Sequence, residues 1–457
     1  MSININFSAQ TTANATQDII DSKLDKRRKG VNGPPIVTKC IVFVDDLNMP
    51  AKEEYGAQPP IEILRQWMDH SGWYNLSENV YMQLVELQFI GAMGPPVGGR
   101  TRITQRYVRH FNLINFVPFD NESLTRVFNT IMDWFLARGF SGGVKAMGQP
   151  MVTATIDVYD TISATLLPTP LKSHYTFNLR DLAKVFQGIT QASKDNVKDK
   201  DEFVRIWSHE CLRVFHDRLT TVDDRDYFYK MIGEKVNAHF SIDFKLKILP
   251  KKGALVYGNF IDPKIVENKP YVLMEDPDEI QKVVEDYLED YNSMSSKPMS
   301  LVLFANAVEH ICRISRIINQ PYGNALLVGV GGSGRKSLSA LATFIADFKS
   351  FSIALSRTYG TFEWREDLKK VFMMTGTENQ PTVFVFDDTQ IIKESFLEDV
   401  NGILNTGEVP NLFNGEELAA VLEGISKDAR EQGVNTGSNI EMMAFFTTRV
   451  RNNLHMV

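Results

Sequence analysis

A glycine-rich segment and two aspartate pairs are the residues whose types and spacing could do chemistry. Residues 329–337 read GVGGSGRKS, with four glycines among the first six. Glycine lets backbone N–H groups turn toward one point, and a following helix adds positive potential from its N-terminus. Each aspartate pair, Asp45–Asp46 and Asp387–Asp388, follows an apolar run. The combination predicts binding of the phosphates of a nucleotide together with a magnesium ion.

The glycine segment fits the phosphate-loop pattern GxxxxGK[ST] only in part. Gly329 and Gly334 fit, but Arg335 stands at the lysine position and Lys336 at the position of the magnesium-binding hydroxyl. A shifted register would use Lys336 and Ser337, yet it places Arg335 at the second glycine, so the first register is favoured. A tight turn without a ligand is the alternative. The candidate nucleotide-binding residues are Gly329, Gly331, Gly332, Ser333, Gly334, Arg335, Lys336 and Ser337.

The two aspartate pairs have the positions of metal-binding and catalytic carboxylates. In P-loop ATPases a strand-end aspartate orients magnesium, and the next acidic residue positions the attacking water. This pattern assigns Asp45 and Asp387 to the metal and Asp46 and Asp388 to catalysis. Aspartate withdraws its carboxylate by about 1 Å relative to glutamate, and such a displacement can cost ~10²-fold in rate. Both sites are therefore expected to hold Mg-nucleotide better than they hydrolyse it. A strand followed by a capped helix is the alternative for either pair.

The surrounding pattern predicts an α/β fold that would position these residues. Ile41–Val44 is typical of a strand buried on both faces of a parallel sheet, and Val383–Phe386 is a similar run. Further predicted strands are Val85–Ala92, Phe111–Val117 and Ala325–Val328, and residues 453–457 also read as a strand. Apolar spacing of three and four predicts helices at Thr16–Arg28, Ile61–Trp67, Leu124–Leu136, Leu179–Thr190, Glu202–Leu219, Leu301–Ile318 and Leu338–Phe348.

Two further groups of residues have structural interpretations. The basic run Lys26–Lys29 is interpreted as a solvated helix end, with a nuclear signal or an anion-binding patch as the alternative. His209 and His216 are seven residues apart, whereas the metal-binding HExxH pattern needs four, so we interpret both as ordinary helix residues.

Composition limits the class of protein. The 457 residues suggest about three domains, and the net charge of −7 argues against a general nucleic-acid binder. The three cysteines fit a reducing compartment. The first residues do not read as a signal peptide, and the apolar runs are much shorter than the ~20 residues of a membrane span. These features predict a cytoplasmic protein that associates with neither nucleic acid nor membrane.

The two aspartate pairs also indicate an internal repeat. Asp45 and Asp387 are 342 residues apart, and Asp387 follows Lys336 by 51 residues. A glycine loop at the same distance before Asp45 would precede residue 1, so the first module is expected to lack its phosphate loop and the second its lid. The predicted domains are a first large subdomain (1–119), a helical lid and connector (120–297) that ends near the linker Ser293–Pro298, and a second large subdomain (298–457).

Over essentially its whole length, the chain resembles an axonemal dynein heavy chain. The motifs that carry this resemblance lie in both predicted modules and in the lid between them. They are VFVDDLNMPAKEEYGAQPPIEILRQWMDHSGWYN (Val42–Asn75), FIGAMGPPVGGR (Phe89–Arg100), HYTFNLRDLAKVFQGI (His174–Ile189), IWSHECLRVFHDRL (Ile206–Leu219), NALLVGVGGSGRKSL (Asn324–Leu338), WREDLKK (Trp364–Lys370) and ESFLEDVNGILNTGEVPNLF (Glu394–Phe413).

The resemblance implies two truncated AAA+ P-loop NTPase modules, the third and fourth of a six-module ring, joined by a helical lid. ATP or ADP and Mg²⁺ are the implied ligands. Arg180 matches the lid arginine that reaches the γ-phosphate. Arg106 or Arg109 is a candidate arginine finger, with a surface salt bridge as the alternative, and Gly94 occupies the place of a polar sensor residue.

The same resemblance implies a role in the ATP-driven, minus-end-directed microtubule motor of cilia and flagella. The implied partners are the rest of the heavy-chain ring and the dynein intermediate and light chains, with microtubules reached only through a stalk that is absent here. In this role the two modules regulate the motor by binding nucleotide, in the cytoskeleton of the axoneme. The alternatives are an autonomous weak ATPase and a non-motor, nucleotide-binding or structural piece.

Overall fold

The computed structural model describes residues 1–76, 78–97, 99–262, 265, 269–295 and 297–457. They form two compact units, one of residues 1–115 with 351–455 and the other of residues 116–350 with Met456–Val457. Gly98, inside the loop before Arg100, and Ser296, inside the predicted linker, lie outside the described residues.

The first unit begins with alternating strands and helices, as the sequence predicts. In chain order they are β1 (Ser2–Asn6), α1 (Ala13–Asp21), β2 (Asp25–Arg28), β3 (Val31–Gly33), β4 (Cys40–Asp45), α2 (Pro59–His70), β5 (Gly72–Asn75), β6 (Val80–Leu84), β7 (Leu87–Gly91) and α3 (Gln105–Val108).

The strand that ends in Asp45 lies at the centre of a parallel sheet. β4 pairs with β1 on one side and β7 on the other, so that Val42 lies opposite both Ile3 and Phe89. These three side chains are buried, and they belong to the same core cluster as residues of α1 and α2. On the other face Ile41 is 41% exposed. The prediction of a strand is confirmed, but the prediction that both its faces are buried is wrong, because only one face packs against helices.

The predicted helix Thr16–Arg28 is wrong in its second half. α1 starts after Thr12, whose hydroxyl accepts the N–H of Ala15, and it ends at Asp21. The basic residues that follow form β2, which turns back into antiparallel β3 through Gly30 at φ 76°. Glycine adopts this left-handed conformation without steric cost, so a hairpin replaces the helix end. The basic run is therefore not a helix terminus.

Two predicted strands are absent from the described residues. Around Phe111–Val117 the chain is irregular, and Ile114 and Phe116 are 77% and 88% exposed. Around Ala325–Val328 the Ala325 N–H donates to the carbonyl of Met456 at 2.9 Å, but no strand follows. An apolar run of high β-propensity becomes a strand only beside another strand that supplies the hydrogen bonds.

The second unit is mostly helical. The predicted helices at Leu124–Leu136, Leu179–Thr190 and Glu202–Leu219 are present, the last of them ending in a π-helical turn at Leu212–His216. The helix predicted at Leu301 starts instead at Ala305. The elements are α4 (Asn121–Leu136), α5 (Gly142–Lys145), α6 (Gly148–Thr165), α7 (Leu179–Ile189), α8 (Lys200–Cys211), α9 (Val222–Phe240), β8 (Tyr257–Gly258), β9 (Val272–Leu273), α10 (Pro277–Met294), α11 (Ala305–Ile318) and α12 (Arg335–Ile345).

The core of this unit contains buried charges as well as apolar residues. Glu210 on α8 is fully buried and forms an ion pair with Arg316 on α11. The Tyr271 hydroxyl donates to the same carboxylate at 2.8 Å. Burial raises the pKa of Glu210, but Arg316 and His209 outweigh burial and lower it to about 2. Glu210 is therefore ionised inside the protein and joins the lid region to the helix that packs against α12.

The remaining elements confirm the α/β fold class. The strands predicted at Val383–Phe386 and near the last residues are both present, in a sheet of order β10-β11-β12. Among the described residues, none of the helices has the length and apolar character that crossing a membrane requires. The elements are β10 (Lys349–Ser352), α13 (Thr361–Phe372), β11 (Thr382–Val385), α14 (Ser395–Asn405), α15 (Gly415–Glu431), α16 (Asn439–Asn453) and β12 (Leu454–Met456).

Candidate nucleotide-binding site

The Asp45–Asp46 pair lies at the carboxyl end of the central strand β4. Asp46 has a φ of 49°, and its N–H donates to Asp45 Oδ1 at 2.9 Å. Beyond the pair, the Leu47 N–H donates to the carbonyl of Ala92, which follows β7. The carboxyl ends of parallel strands meet at the same edge of a sheet, where ligands of α/β proteins bind. The loop after β7 is therefore held beside the two carboxylates.

That loop brings Arg100 to Asp46. The Arg100 Nη2 lies 3.0 Å from Asp46 Oδ1, and both side chains are partly exposed. The guanidinium passes over Gly94, where an added Cβ would lie 3.0 Å from Arg100 Nε. Sequence reasoning assigned Asp46 to catalysis and missed Arg100. The sequence did hold one signal for Arg100, because it is a cation in the loop after β7, the strand that pairs in parallel with β4.

Asn48 fixes the same loop at two points. Its Nδ2 donates to the carbonyl of Gly94 at 2.8 Å, and its own carbonyl accepts the N–H of Thr101 at 2.9 Å. The Asn48 side chain is 1% exposed. Its Oδ1 accepts no hydrogen bond from the described residues. Asn48 is a second residue of this site that sequence reasoning missed.

The two arginine-finger candidates have different surroundings. Arg109 follows α3, and its Nη2 lies 2.8 Å from Asp69 Oδ1. This is the surface salt bridge that the sequence left open as an alternative. Arg106 is exposed, and its guanidinium pairs with no carboxylate in the part of the chain that the structure describes. Of the two, Arg106 has the guanidinium that is available to another group.

The glycine segment Gly329–Ser337 lies in the second unit and leads into α12. Gly332 and Gly334 have φ values of 77° and 80°, in the left-handed region that favours glycine. A Cβ added at Gly331 or Gly332 would meet no atom within 4 Å, so the loop is open on its outer side. The eleven-residue helix begins at Arg335, directly after Gly334. This is the backbone arrangement that a phosphate requires at a helix N-terminus.

The two cationic side chains of this loop, Arg335 and Lys336, differ in exposure. The Arg335 Nη1 donates to the carbonyl of Leu327 at 3.4 Å, at the base of the loop. Lys336 is exposed, whereas Ser337 is half-buried. Arg335 thus supports the loop from within, and Lys336 is the more accessible cation.

The second aspartate pair, Asp387–Asp388, belongs to the first unit. Asp387 follows β11, and its Oδ1 accepts hydrogen bonds from the N–H and hydroxyl of Thr389 at 2.8 and 2.6 Å. Gln390 Oε1 in turn accepts the Asp387 N–H, so the pair opens a short 3₁₀ turn with a capping box. This arrangement matches the capped-helix alternative in its local geometry, and the carboxylates are also oxygen ligands of the kind that Mg²⁺ prefers.

The lid places Arg180 at the start of α7. Its N–H is capped by Asn178 Oδ1 at 2.9 Å, and its side chain is exposed. By contrast, Arg218 pairs with Asp181, one residue further along the helix. The guanidinium of Arg180 is therefore exposed to solvent at the start of this helix.

The two histidines lie inside the lid core. His209 Nδ1 is 3.0 Å from Glu210 Oε1, and burial lowers the pKa of His209 to about 4. His216 packs against the ring of Tyr229 at 4.8 Å between centroids. Both are therefore packed helix residues.

A glycine loop before a helix, strand-end aspartates and a helical lid define a P-loop protein of the AAA+ class. Residues 1–119 match a family described as P-loop containing dynein motor region, and residues 299–457 match P-loop containing dynein motor region D4. Residues 151–248 match the AAA+ lid domain. The chain belongs to the dynein heavy-chain family.

Similarity to individual proteins extends over nearly the whole chain. It is 47% identical to human dynein axonemal heavy chain 1 over 466 residues and 44% identical to human dynein axonemal heavy chain 3 over 461 residues. It is 42% identical to the dynein-1-beta heavy chain of the flagellar inner arm I1 complex of Chlamydomonas reinhardtii. These alignments cover 98–100% of this chain but only 10–11% of the relatives.

Proposed function

We propose that this chain supplies two nucleotide-binding modules to the ring of an axonemal dynein heavy chain. Residues 1–119 would be the large subdomain of the third AAA+ module, residues 120–297 its lid and connector, and residues 298–457 the large subdomain of the fourth. The family matches at 1–119, 151–248 and 299–457 support this division.

The motor to which the modules contribute would be a minus-end-directed, ATP-driven microtubule motor of the ciliary or flagellar axoneme. The names of the relatives, which are axonemal and flagellar heavy chains, support this assignment. The rest of the heavy chain and the intermediate and light chains would be its partners. Within that ring the two modules would act as regulatory sites that change state with bound ATP or ADP.

The observation that carries the proposal is the open glycine loop at the start of α12. Its backbone N–H groups and Lys336 would hold the phosphates, and Arg335 would keep the loop in shape. Magnesium, which neutralises phosphate charge when it is bound, would be held by the strand-end carboxylates of Asp45 and Asp387. The exposed Arg180 would reach a γ-phosphate. Arg106 would be the arginine finger, because the alternative candidate, Arg109, is paired with Asp69. Asp46 and Asp388 would support only slow hydrolysis.

A charge placed in the glycine loop tests this proposal. Gly331 has open space around it and does not need the left-handed conformation, so Gly331→Asp adds a negative charge without steric cost. We expect the variant to lose binding of a fluorescent ADP analogue at least tenfold, with an unchanged melting temperature. Gly415→Asp, at another open position in the chain, is the matched control. Equal ADP binding by Gly331→Asp and the native chain would refute the assignment of the loop.

A further inference from the structure

The ion pair between Arg100 and Asp46 joins the carboxylate proposed for catalysis to a cation of the same module. The Arg100 Nη2 is 3.0 Å from Asp46 Oδ1, and the two side chains are 36% and 44% exposed. The backbone of Asp46 is in the left-handed region, with a φ of 49°. A carboxylate in that pair has one oxygen committed to a guanidinium and is less able to orient a water or a metal.

Hydrogen bonds hold the backbone on both sides of Arg100, so its position does not depend on its own flexible side chain alone. Asn48 ties both ends of the arginine-bearing loop to the end of β4, through the carbonyl of Gly94 and the N–H of Thr101. The Thr101 hydroxyl also donates to the Asn48 carbonyl at 3.2 Å and accepts from Gln58 Nε2 at 2.6 Å. Arg100 therefore extends to Asp46 from a loop that is anchored on both sides of it.

We propose that Arg100 is a positioning residue that holds the Asp46 carboxylate away from the metal and water until a ligand separates the pair. The ion pair keeps the first module in a binding but non-hydrolysing state. Gly94 is part of this arrangement, since a side chain at position 94 would occupy the space of the guanidinium. The inference rests on the proposed nucleotide-binding role of the Asp45–Asp46 pair and adds its regulation.

The strength of the pair suits a reversible restraint. Partly exposed ion pairs change an equilibrium by up to about fivefold, because water screens the charges and the side chains lose freedom. A divalent cation or a phosphate, with two charges on one centre, can displace such a pair. The ion pair therefore shifts the equilibrium toward the paired Asp46 carboxylate, and a bound ligand can reverse this shift.

Manganese binding to the full chain without nucleotide tests the proposal directly. Free Mn²⁺ is measured by electron paramagnetic resonance for the native chain and for Arg100→Gln. The double variant Asp45→Asn/Asp46→Asn measures the background, which is the Mn²⁺ that binds elsewhere on the chain. We expect Arg100→Gln to bind Mn²⁺ two- to fivefold more tightly than the native chain. Arg100→Lys keeps the charge and should return the affinity toward the native value. Arg102→Gln removes a charge from an exposed residue nearby and is expected to change nothing.

The proposal requires Asp46 to be present for Arg100→Gln to change the affinity for Mn²⁺. In an Asp46→Asn background, Arg100→Gln should no longer change the affinity, which is the non-additivity expected of residues in contact. The proposal is overturned if Arg100→Gln fails to raise the affinity, if the gain persists in the Asp46→Asn background, or if neither chain binds Mn²⁺ above background. Failure of the proposed function has a different readout, since it would appear as unaltered ADP binding by Gly331→Asp.

Discussion

The carboxylate of Glu210 is buried against the guanidinium of Arg316, 106 residues later in the chain. The first residue lies on the lid helix α8 and the second on α11, and Arg316 Nε approaches Glu210 Oε1 at 3.3 Å. Two desolvated charges on separate helices stabilise one another only while both are present. The lid and the helix before the glycine loop are therefore expected to lose stability together when either charge is removed.

Glu210→Gln should destabilise the second unit strongly. Removing one partner of a buried pair leaves an uncompensated charge, which typically costs about 3–5 kcal/mol in free energy of unfolding. Amide hydrogen exchange on α8 and α11 measures the effect locally. The double replacement Glu210→Met/Arg316→Met, which removes both charges, should recover much of the loss. Equal protection in the native and Glu210→Gln chains would show that the pair is not a source of stability.

Gly188→Ala should also destabilise the second unit, although alanine is the better helix former by about 1 kcal/mol. A Cβ at position 188, inside α7, would overlap the Glu210 carboxylate. We expect a loss of about 1–3 kcal/mol, typical of overpacking in a core. Gly142→Ala, at an open position at the start of α5, is the control and should be neutral or stabilising. Thermal unfolding of the two variants checks the difference, and equal melting temperatures would contradict it.

Acid should weaken the second unit in the pH range where His209 titrates. Burial lowers the pKa of His209 to about 4, and the neighbouring Glu210 carboxylate offsets this lowering only in part. In an unfolded chain the pKa of histidine is about 6.5. The unfolded chain therefore binds a proton that the folded chain does not, and stability falls as pH decreases from about 6.5 to 4. A single site contributes at most about 1.4 kcal/mol per pH unit. Urea unfolding at several pH values should show a smaller slope for His209→Gln, and an unchanged slope would exclude His209 as the source.

Restoring the phosphate-loop pattern should make nucleotide binding depend on magnesium. Arg335→Lys/Lys336→Thr creates GxxxxGKT, in which the threonine hydroxyl is a magnesium ligand. We expect Mg²⁺ to tighten binding of an ATP analogue to this variant about tenfold. Binding to the native chain should be tightened less, because Asp387 is the proposed magnesium ligand there and Lys336 opposes the ion. Titrations with Mg²⁺ and with EDTA measure the two affinities. A strong magnesium effect in the native chain would mean that Lys336 does not take the place of the hydroxyl.

The sequence predicts elements whose partners lie nearby in the chain better than those that depend on distant segments. The strands before Asp45 and Asp387 were predictable, because each apolar run ends at a polar pair. The segment Ala325–Val328 is also a run of four apolar residues, yet the backbone hydrogen bond from Ala325 to Met456 is not enough to make it a strand. Whether an apolar run finds a neighbour is a property of the tertiary structure.

The candidate site shows the same limit. The glycine loop was predictable because its residues are consecutive, and Gly332 and Gly334 have the positive φ that requires glycine. The Arg100–Asp46 ion pair joins residues 54 positions apart, at the ends of two strands whose adjacency only the structure shows. No local pattern distinguishes Arg100 from Arg102, the other arginine of its loop.

The close approach of Gly188 and Glu210 has a consequence for the evolution of this lid. Any side chain at position 188 excludes a glutamate at position 210, and without that glutamate the arginine at 316 would be buried without a counter-charge. The three positions therefore constrain one another across three separate helices. Among homologous sequences they should covary, so that a larger residue at 188 is accompanied by loss of both charges.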